Sequence, residues 1–372
     1  MTDFRIASDL ADIDPTQWDA LHGSDNPFLK HTFLAGLEST GCLRPEWGWT
    51  PCHPTLWDGD TLLAAAPGYL KGNSHGEFVF DQAWAEAYGR YGRRYYPKWL
   101  IGVPYTPVTG PRLLARDVAH RLSLTEAMIE FAGERALSSI HVNFIEESEA
   151  AELSPDWLSR ATVQFHWQNR GWHDFDAFLD SLHSKKRKNI RQERAKAAAA
   201  GYTFRTVHGA DIDDGDLCAM HAFYRSTFEQ YGNAPALTLA FFRSLAEKSP
   251  QSLVLVMAER EGMTRAGALF LRGGDTLYGR YWGSSENSPG LHFETCYYRG
   301  IEYCLNEGLR YFEPGAQGEH KVARGFLPVM THSRHWLREP AFGAALQPWC
   351  AEETRAMTAY ADRIRSTGPY LD

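Results

Sequence analysis

Between positions 311 and 326 the chain reads Tyr-Phe-Glu-Pro-Gly-Ala-Gln-Gly-Glu-His-Lys-Val-Ala-Arg-Gly-Phe. These sixteen positions hold two carboxylates (Glu313, Glu319), one imidazole (His320), two cations (Lys321, Arg324), three glycines and one proline. In an arbitrary loop such charges scatter into solvent. Here Gly and Pro bend the chain, and aromatic flanks can pin the bend to a core, so its polar groups converge on one place. The chemistry open to this set is acyl transfer to an amine. An oxyanion developing on a carbonyl needs a fixed positive partner, the role expected of Lys321. The attacking amine must lose a proton, and His320, Glu319 and Glu313 are the candidate acceptors, directly or through water. Arg280 and Arg324 can orient a carboxylate or phosphate through forked hydrogen bonds.

Regular elements must hold that bend in place. A helix is predicted over 291–309, opened by Pro289-Gly290 and carrying His292, Glu294, Tyr297 and Tyr298. The free N–H groups at its start suit an anion or an oxyanion. An extended run, 327–336, follows the bend. Upstream, 252–258, 265–272 and 276–283 read as an antiparallel meander turned at Glu261-Gly262 and Gly273-Gly274-Asp275. Arg280, Tyr281 and Trp282 end its third strand. Alternation lets at most two of these three face a cleft, and Arg280, Tyr281 and His292 are taken as candidate substrate contacts. Helices are predicted at 216–231 and 239–246.

A basic helix, 184–200, precedes this block and is stopped by Gly201. Seven of the thirteen residues from 184 to 196 are Lys or Arg, in a chain that is acidic as a whole. Lys185, Lys186, Arg187 and Arg191 are its candidate contacts to phosphates or RNA. The competing reading is a solvated helix that links domains.

The first half gives a short strand at 4–7, a helix at 28–39, and a hairpin at 56–63 turned at Asp58-Gly59. It continues with a strand at 76–80, a helix at 84–91 and a rigid Pro-rich loop at 103–112. A helix at 123–137 follows, with Ser123 as its cap and Glu126 at capping-box spacing. An alternating strand at 139–145 closes the half, and its His141 reads as a packed strand residue. The blocks around 57–67 and 258–268 resemble each other, each a hairpin preceded by helices and followed by a helix and a strand. The expected class is therefore α/β (α+β), with two copies of one unit. The expected limits are 1–162, then 163–345 including the basic helix, then a helical tail over 346–372.

Composition narrows the functions. The 372 residues are 44% hydrophobic and 23% charged, with a formal charge of −8. That balance belongs to a soluble globular protein and argues against nucleic-acid binding by the whole surface. The six cysteines form no CxxC pair, so no metal or redox cofactor is expected. No apolar run approaches the ~20 residues of a membrane helix, and the start of the chain has no charged-then-apolar pattern. A cytoplasmic location is expected.

Several stretches together carry a family resemblance. They are Gly76-Glu-Phe-Val-Phe-Asp-Gln-Ala-Trp84, Tyr95-Tyr-Pro-Lys98, Val103-Pro-Tyr-Thr-Pro-Val-Thr-Gly-Pro-Arg112, Lys186-Arg-Lys-Asn-Ile-Arg191, Tyr278-Gly-Arg-Tyr-Trp-Gly283 and Glu313-Pro-Gly-Ala-Gln-Gly-Glu-His-Lys321. With these the chain resembles the FemAB-like branch of the GNAT acyltransferase superfamily, in its peptidoglycan biosynthesis or recognition group. The resemblance implies two tandem GNAT-like domains, each a mixed sheet flanked by helices. It also implies transfer of an aminoacyl group from charged tRNA to an amine on a peptide-like or cell-wall-related acceptor. Lys321, followed by Arg324-Gly325-Phe326, matches the Lys and following Gly-Phe implicated in catalysis in Fem-type enzymes. Two features depart from that pattern. His320 stands where an aromatic residue often precedes the Lys, and the long helical arm that some Fem proteins insert after the basic helix is absent, which counts against tRNA as donor. Acetyl-CoA ranks lower still, because 284–290 has one glycine and a carboxylate where GNAT enzymes cradle a pyrophosphate. Two alternatives stand beside aminoacyl or acyl transfer: an acetyl-CoA-dependent N-acetyltransferase, and a non-catalytic protein that recognises peptidoglycan-type peptides.

Overall fold

Strand Ser139–Ile145 is buried at all seven of its positions, the mark of a strand covered on both faces. The alternation seen in its sequence therefore does not separate a wet face from a dry one. The structure is a computed structural model that describes residues 2–316 and 318–371. The chain divides into two units, Met1–Val163 with Met330–Tyr360, and Gln164–Val329 with Ala361–Asp372.

In the first unit Ser139–Ile145 runs parallel to Lys98–Ile101 and antiparallel to the chain from His332 to Leu337. Gly68–Lys71 and Trp49–Pro51 extend this mixed sheet. A smaller antiparallel sheet joins Asp3–Ala7, His53–Asp58, Thr61–Ala65 and Leu114–Ala115. Helix Val118–Glu134 contributes Leu124, Met128 and Ala132 to a core with Trp99, Ile101, Ile140 and Val142. His141 is packed, as expected. Its Nδ1 lies 2.6 Å from Nδ1 of its cross-strand partner His335. The Pro-rich loop at 103–112 is irregular, as expected. The buried Arg112 guanidinium fixes it, donating to the carbonyls of Val108, Pro111 and Asn143.

The second unit holds the predicted meander. Thr203–His208, Leu253–Arg260, Met263–Gly273 and Thr276–Ser284 pair antiparallel in sequence order. Thr276–Ser284 then pairs parallel with Tyr311–Glu313, and Tyr311 and Phe312 pair antiparallel with Gln168 and Trp167. Helix Asp214–Gln230 packs on the last meander strand so closely that a Cβ on Gly283 would stand 2.0 Å from the Phe223 carbonyl oxygen. Only glycine fits there. The basic helix is Ser184–Ala199.

Four expectations are corrected. Residues 76–80 form an irregular loop, because Glu77 and Asp81 turn inward to buried lysines rather than joining a ladder. The helix expected at 123–137 is capped by Asp117, whose carboxylate accepts from His120 N at 2.9 Å, and Ser123 lies in its interior. The helix expected at 291–309 is interrupted: an α turn, Leu291–Phe293, gives way to a π-helical turn, Glu294–Tyr298, and resumes as Arg299–Asn306. The domain limits also differ. Strand Leu327–Leu337 pairs in its second part with Ser139–Ile145, which returns the chain to the first unit at Met330. The tail is one helix, Pro340–Ser366. Its Cys350, Phe342 and Leu346 pack with Trp84 and Tyr88 of the first unit.

Candidate active site

The site in the second unit begins with an irregularity in the meander. Leu269 stands opposite Tyr281, but Phe270 stands opposite Gly279. Arg280 is therefore the extra residue of a β-bulge, a device that re-aims a side chain and bends its strand. The parallel pairing with Tyr311–Glu313 ends at Tyr278 and Glu313, one residue before the pair Gly279–Arg280. The chain leaves Glu313 through Pro314 and Gly315 (φ 95°) and enters a 3₁₀ turn, Glu319–Arg324. Gln317, inside the sequence motif, lies outside the described residues. The turn is anchored by Phe326, fully buried against Phe312 and Tyr297.

Lys321 sits at the centre. The residue is 3% exposed, and Nζ donates to the Gly315 carbonyl at 2.7 Å. Among the described residues no carboxylate lies within ion-pair distance of it. Burial pushes its pKa down to about 8, with the Arg280 cation adding to the effect and Cys296 opposing it. The surroundings share this character. Burial lowers Arg280 as well, against the pull of Glu313. His292 falls to about 4 through burial and the nearby His320, Arg324 and Lys321. His166 falls to about 3 through burial and Lys321. His320 is lowered by burial, Arg324 and Lys321, and its Nε2 lies 2.9 Å from the Tyr297 hydroxyl. The result is one ammonium surrounded by neutral imidazoles, a setting in which an anion gains most from the ammonium because no fixed carboxylate competes for it.

Lys321, His320, Glu313, Arg280 and His292 are thus brought together, with Tyr281 on the bulge packed against Tyr224. Glu319 is exposed at the start of the turn. Arg324 has a different task from the one expected. Its guanidinium forks onto Glu193 at 2.6 and 3.1 Å, donates to the His320 carbonyl at 2.6 Å and lies 3.5 Å from the Phe293 ring centroid. It fastens the turn to the basic helix and is not open to a ligand. Glu193 also accepts from the Tyr298 hydroxyl. On the same helix Arg194 grips the buried Glu294 at 3.0 Å and Glu302 at 2.7 Å. Arg187 pairs with Asp180 at 2.9 Å. Lys185 and Arg191 are exposed and Lys186 is half-buried. Half of the basic helix therefore positions the site, while the other half faces solvent.

Sequence reading missed His166, Cys296 and Glu193, and it placed Tyr297 on the 291–309 helix without giving it a role. His166 joins the site because its strand lies beside Tyr311–Glu313, with Nδ1 3.8 Å from Glu313 Oε1, a long-range pairing with no local signal. Cys296 and Tyr297 lie in the π turn, which shifts the helix phase; π turns recur at functional sites. Burial raises the Cys296 thiol strongly, so it is not a ready nucleophile.

Among the described residues no group of His, Cys, Asp and Glu is arranged to hold a metal ion, and no helix is long and apolar enough to cross a membrane. No protein of curated function matches the chain. Solved structures that match in fold include FemX, with 13% identity, 90% of this chain and 98% of that chain covered, and a TM-score of 0.53. L-PGS from Bacillus licheniformis matches with 11% identity, coverage of 92% and 98%, and a TM-score of 0.51. The C-terminal domain of a putative lysylphosphatidylglycerol synthetase from Agrobacterium fabrum matches with 11% identity, coverage of 91% and 96%, and a TM-score of 0.54. The fold is of the expected α/β class, with sheets flanked by helices, and is shared with FemX. The FemAB-like family, described by peptidoglycan biosynthesis and recognition, matches residues 9–372, and the chain belongs to it.

Proposed function

We propose that the protein transfers an aminoacyl or acyl group to an amine on a peptide-like, cell-wall-related acceptor, with Lys321 holding the oxyanion. The observation that carries this reading is the buried Lys321 ammonium with a carbonyl and, among the described residues, no carboxylate as its partner. The family membership and the fold shared with FemX and L-PGS support it. The acceptor amine attacks the donor carbonyl, and the negative oxygen that forms is met by Lys321 Nζ. His320 takes the proton of the amine and, as the carbonyl re-forms and the bond to the donor's ester oxygen breaks, returns it to that leaving oxygen. Its imidazole is kept neutral, as a base must be, and Tyr297 holds the ring. Glu313 faces Arg280 and His166 instead. Arg280, re-aimed by the bulge, orients an anionic group of donor or acceptor.

Aminoacyl-tRNA is the proposed donor. The exposed cations Lys185, Lys188 and Arg191 stand on the helix whose Glu193 and Arg194 brace the site, so one element offers both a polyanion surface and a link to the reacting centre. The segment 284–290 has one glycine, a poor cradle for the pyrophosphate of coenzyme A. Mass spectrometry of products from charged tRNA or acetyl-CoA with a panel of peptidoglycan-precursor amines tests both statements. A product dependent on charged tRNA is expected. A product with acetyl-CoA alone would replace the donor, and no product with either would sink the transferase reading in favour of recognition without chemistry.

A further inference from the structure

The connection from strand Gly68–Lys71 to helix Gln82–Arg90, in the first unit, takes no part in the chemistry above. Lys71 and Lys98 are direct cross-strand partners, and both side chains are fully buried. Like charges directly opposite one another repel, and buried ammoniums without partners are costly. Among the described residues, every hydrogen-bond and ion-pair partner of the two ammoniums comes from the irregular segment 72–81. Lys98 Nζ lies 2.7 Å from Glu77 Oε2 and 2.9 Å from Ser74 Oγ, and it contacts Asp81 Oδ2. Lys71 Nζ donates to the His75 carbonyl at 3.1 Å, lies 4.0 Å from Glu77 Oε1 and stands 3.4 Å from the Trp49 ring centroid. Glu77 thus spans the lysine pair with one oxygen toward each.

The segment is also inverted relative to an ordinary surface loop. It turns Glu77 and Asp81 inward, while Phe78, held at a φ of 60°, and Phe80 are exposed. Stability alone would favour the reverse, since apolar residues gain by burial and carboxylates lose. Asp81 precedes helix Gln82–Arg90, yet its side chain gives that helix no capping bond and goes to Lys98 instead. Among the described residues, the one contact that a regular element outside the lysines' own strands makes with either ammonium is the Trp49 ring over Lys71.

We infer that Lys71 and Lys98 form a carboxylate-binding site of the first unit, that the chain's own Glu77 occupies it, and that 72–81 is the flap which a ligand carboxylate displaces. The occupant chemistry follows from Glu77 itself: a planar carboxylate reaching both lysines, as the free carboxylate of an amino acid or peptide would. Binding exchanges one carboxylate for another at constant charge, so the lysines never stand unpartnered. This inference does not depend on the transferase reading, and its test needs no turnover.

The experiment is calorimetric titration of the full chain with acetyl-alanyl-alanine bearing a free C-terminal carboxylate, and with the corresponding C-terminal amide. In Glu77→Gln the competing charge is gone while the shape remains. The acid should bind that variant about tenfold or more tightly than it binds wild type, and the amide should bind neither. Equal binding of acid and amide by the variant, or binding of neither, overturns the inference. Should the variant fail to melt cooperatively, hydrogen exchange on wild type decides: the acid raises exchange across 72–81, and unchanged exchange overturns the inference.

Discussion

Lys98 and Lys321 are both buried lysines, yet their surroundings treat them in opposite ways. Lys98 is met by two carboxylates, and although burial alone would lower its pKa, Glu77 and Asp81 outweigh burial and raise it. Lys321 is met by a carbonyl, and burial lowers its pKa to about 8. A charge whose field is cancelled on the spot serves the fold, or waits for an exchange partner. A charge left uncancelled is available to an anion that appears during a reaction. Lysine count and hydrophobic pattern do not separate the two; the identity of the partner atoms does.

Removing each charge breaks the comparison most directly. Lys98→Met leaves Glu77 and Asp81 buried without their cation, which should lower stability by about 3–5 kcal/mol; urea unfolding measures it. Lys321→Met strands no carboxylate, so stability should hold or rise. Turnover with the right donor and acceptor should instead fall about 10²–10³-fold, the effect of losing one oxyanion contact. If Lys321→Met unfolds the chain and Lys98→Met does not, the assignment of the two lysines is reversed.

Acidity sharpens the contrast. The folded pKa of Lys321, about 8, lies below its ordinary 10.5. Between those values the unfolded chain binds more protons, so the Lys321 contribution to stability grows as pH rises through that window. Activity should move the other way, falling as pH rises past about 8 and the ammonium is lost. Lys98 has the opposite sign: its contribution is full below 10.5 and is lost only as pH rises through its raised pKa. A rate that climbs with pH through 8 would make Lys321 a base rather than an electrostatic partner.

The comparison also marks what the sequence can tell. The Lys321 bend was legible because Gly, Pro, His, Lys and Arg cluster within sixteen positions, and local composition is what a sequence displays best. Strand Ser139–Ile145, the meander and the basic helix were legible for the same reason: their patterns are local. The lysine pair was not, because Lys71 and Lys98 meet across a sheet and their carboxylates lie in a segment whose apolar spacing imitates a strand. The π turn at 294–298 and the bulge at Arg280 each shift register by one residue, and periodicity does not reveal which residue is extra. Arg324 was misassigned because its partner, Glu193, lies on the distant basic helix.

The smallest expected effect concerns that helix, where the same contrast recurs within one element. Glu193 and Arg194 are engaged by Arg324 and Glu294, whereas Arg191 is exposed. Replacing an exposed charge of this kind changes stability by no more than about 0.5 kcal/mol, so Arg191→Gln should melt like wild type. Its effect belongs to the donor. A phosphate contact contributes counterion release, so Arg191→Gln should weaken charged-tRNA binding and flatten the log–log salt dependence by about one unit of slope. Turnover with a small aminoacyl ester, which has no polyanion to dock, should be unchanged. An identical salt slope in wild type and variant would make the outer face of the helix mere solvated surface, leaving only its inner face, Glu193 and Arg194, tied to the site.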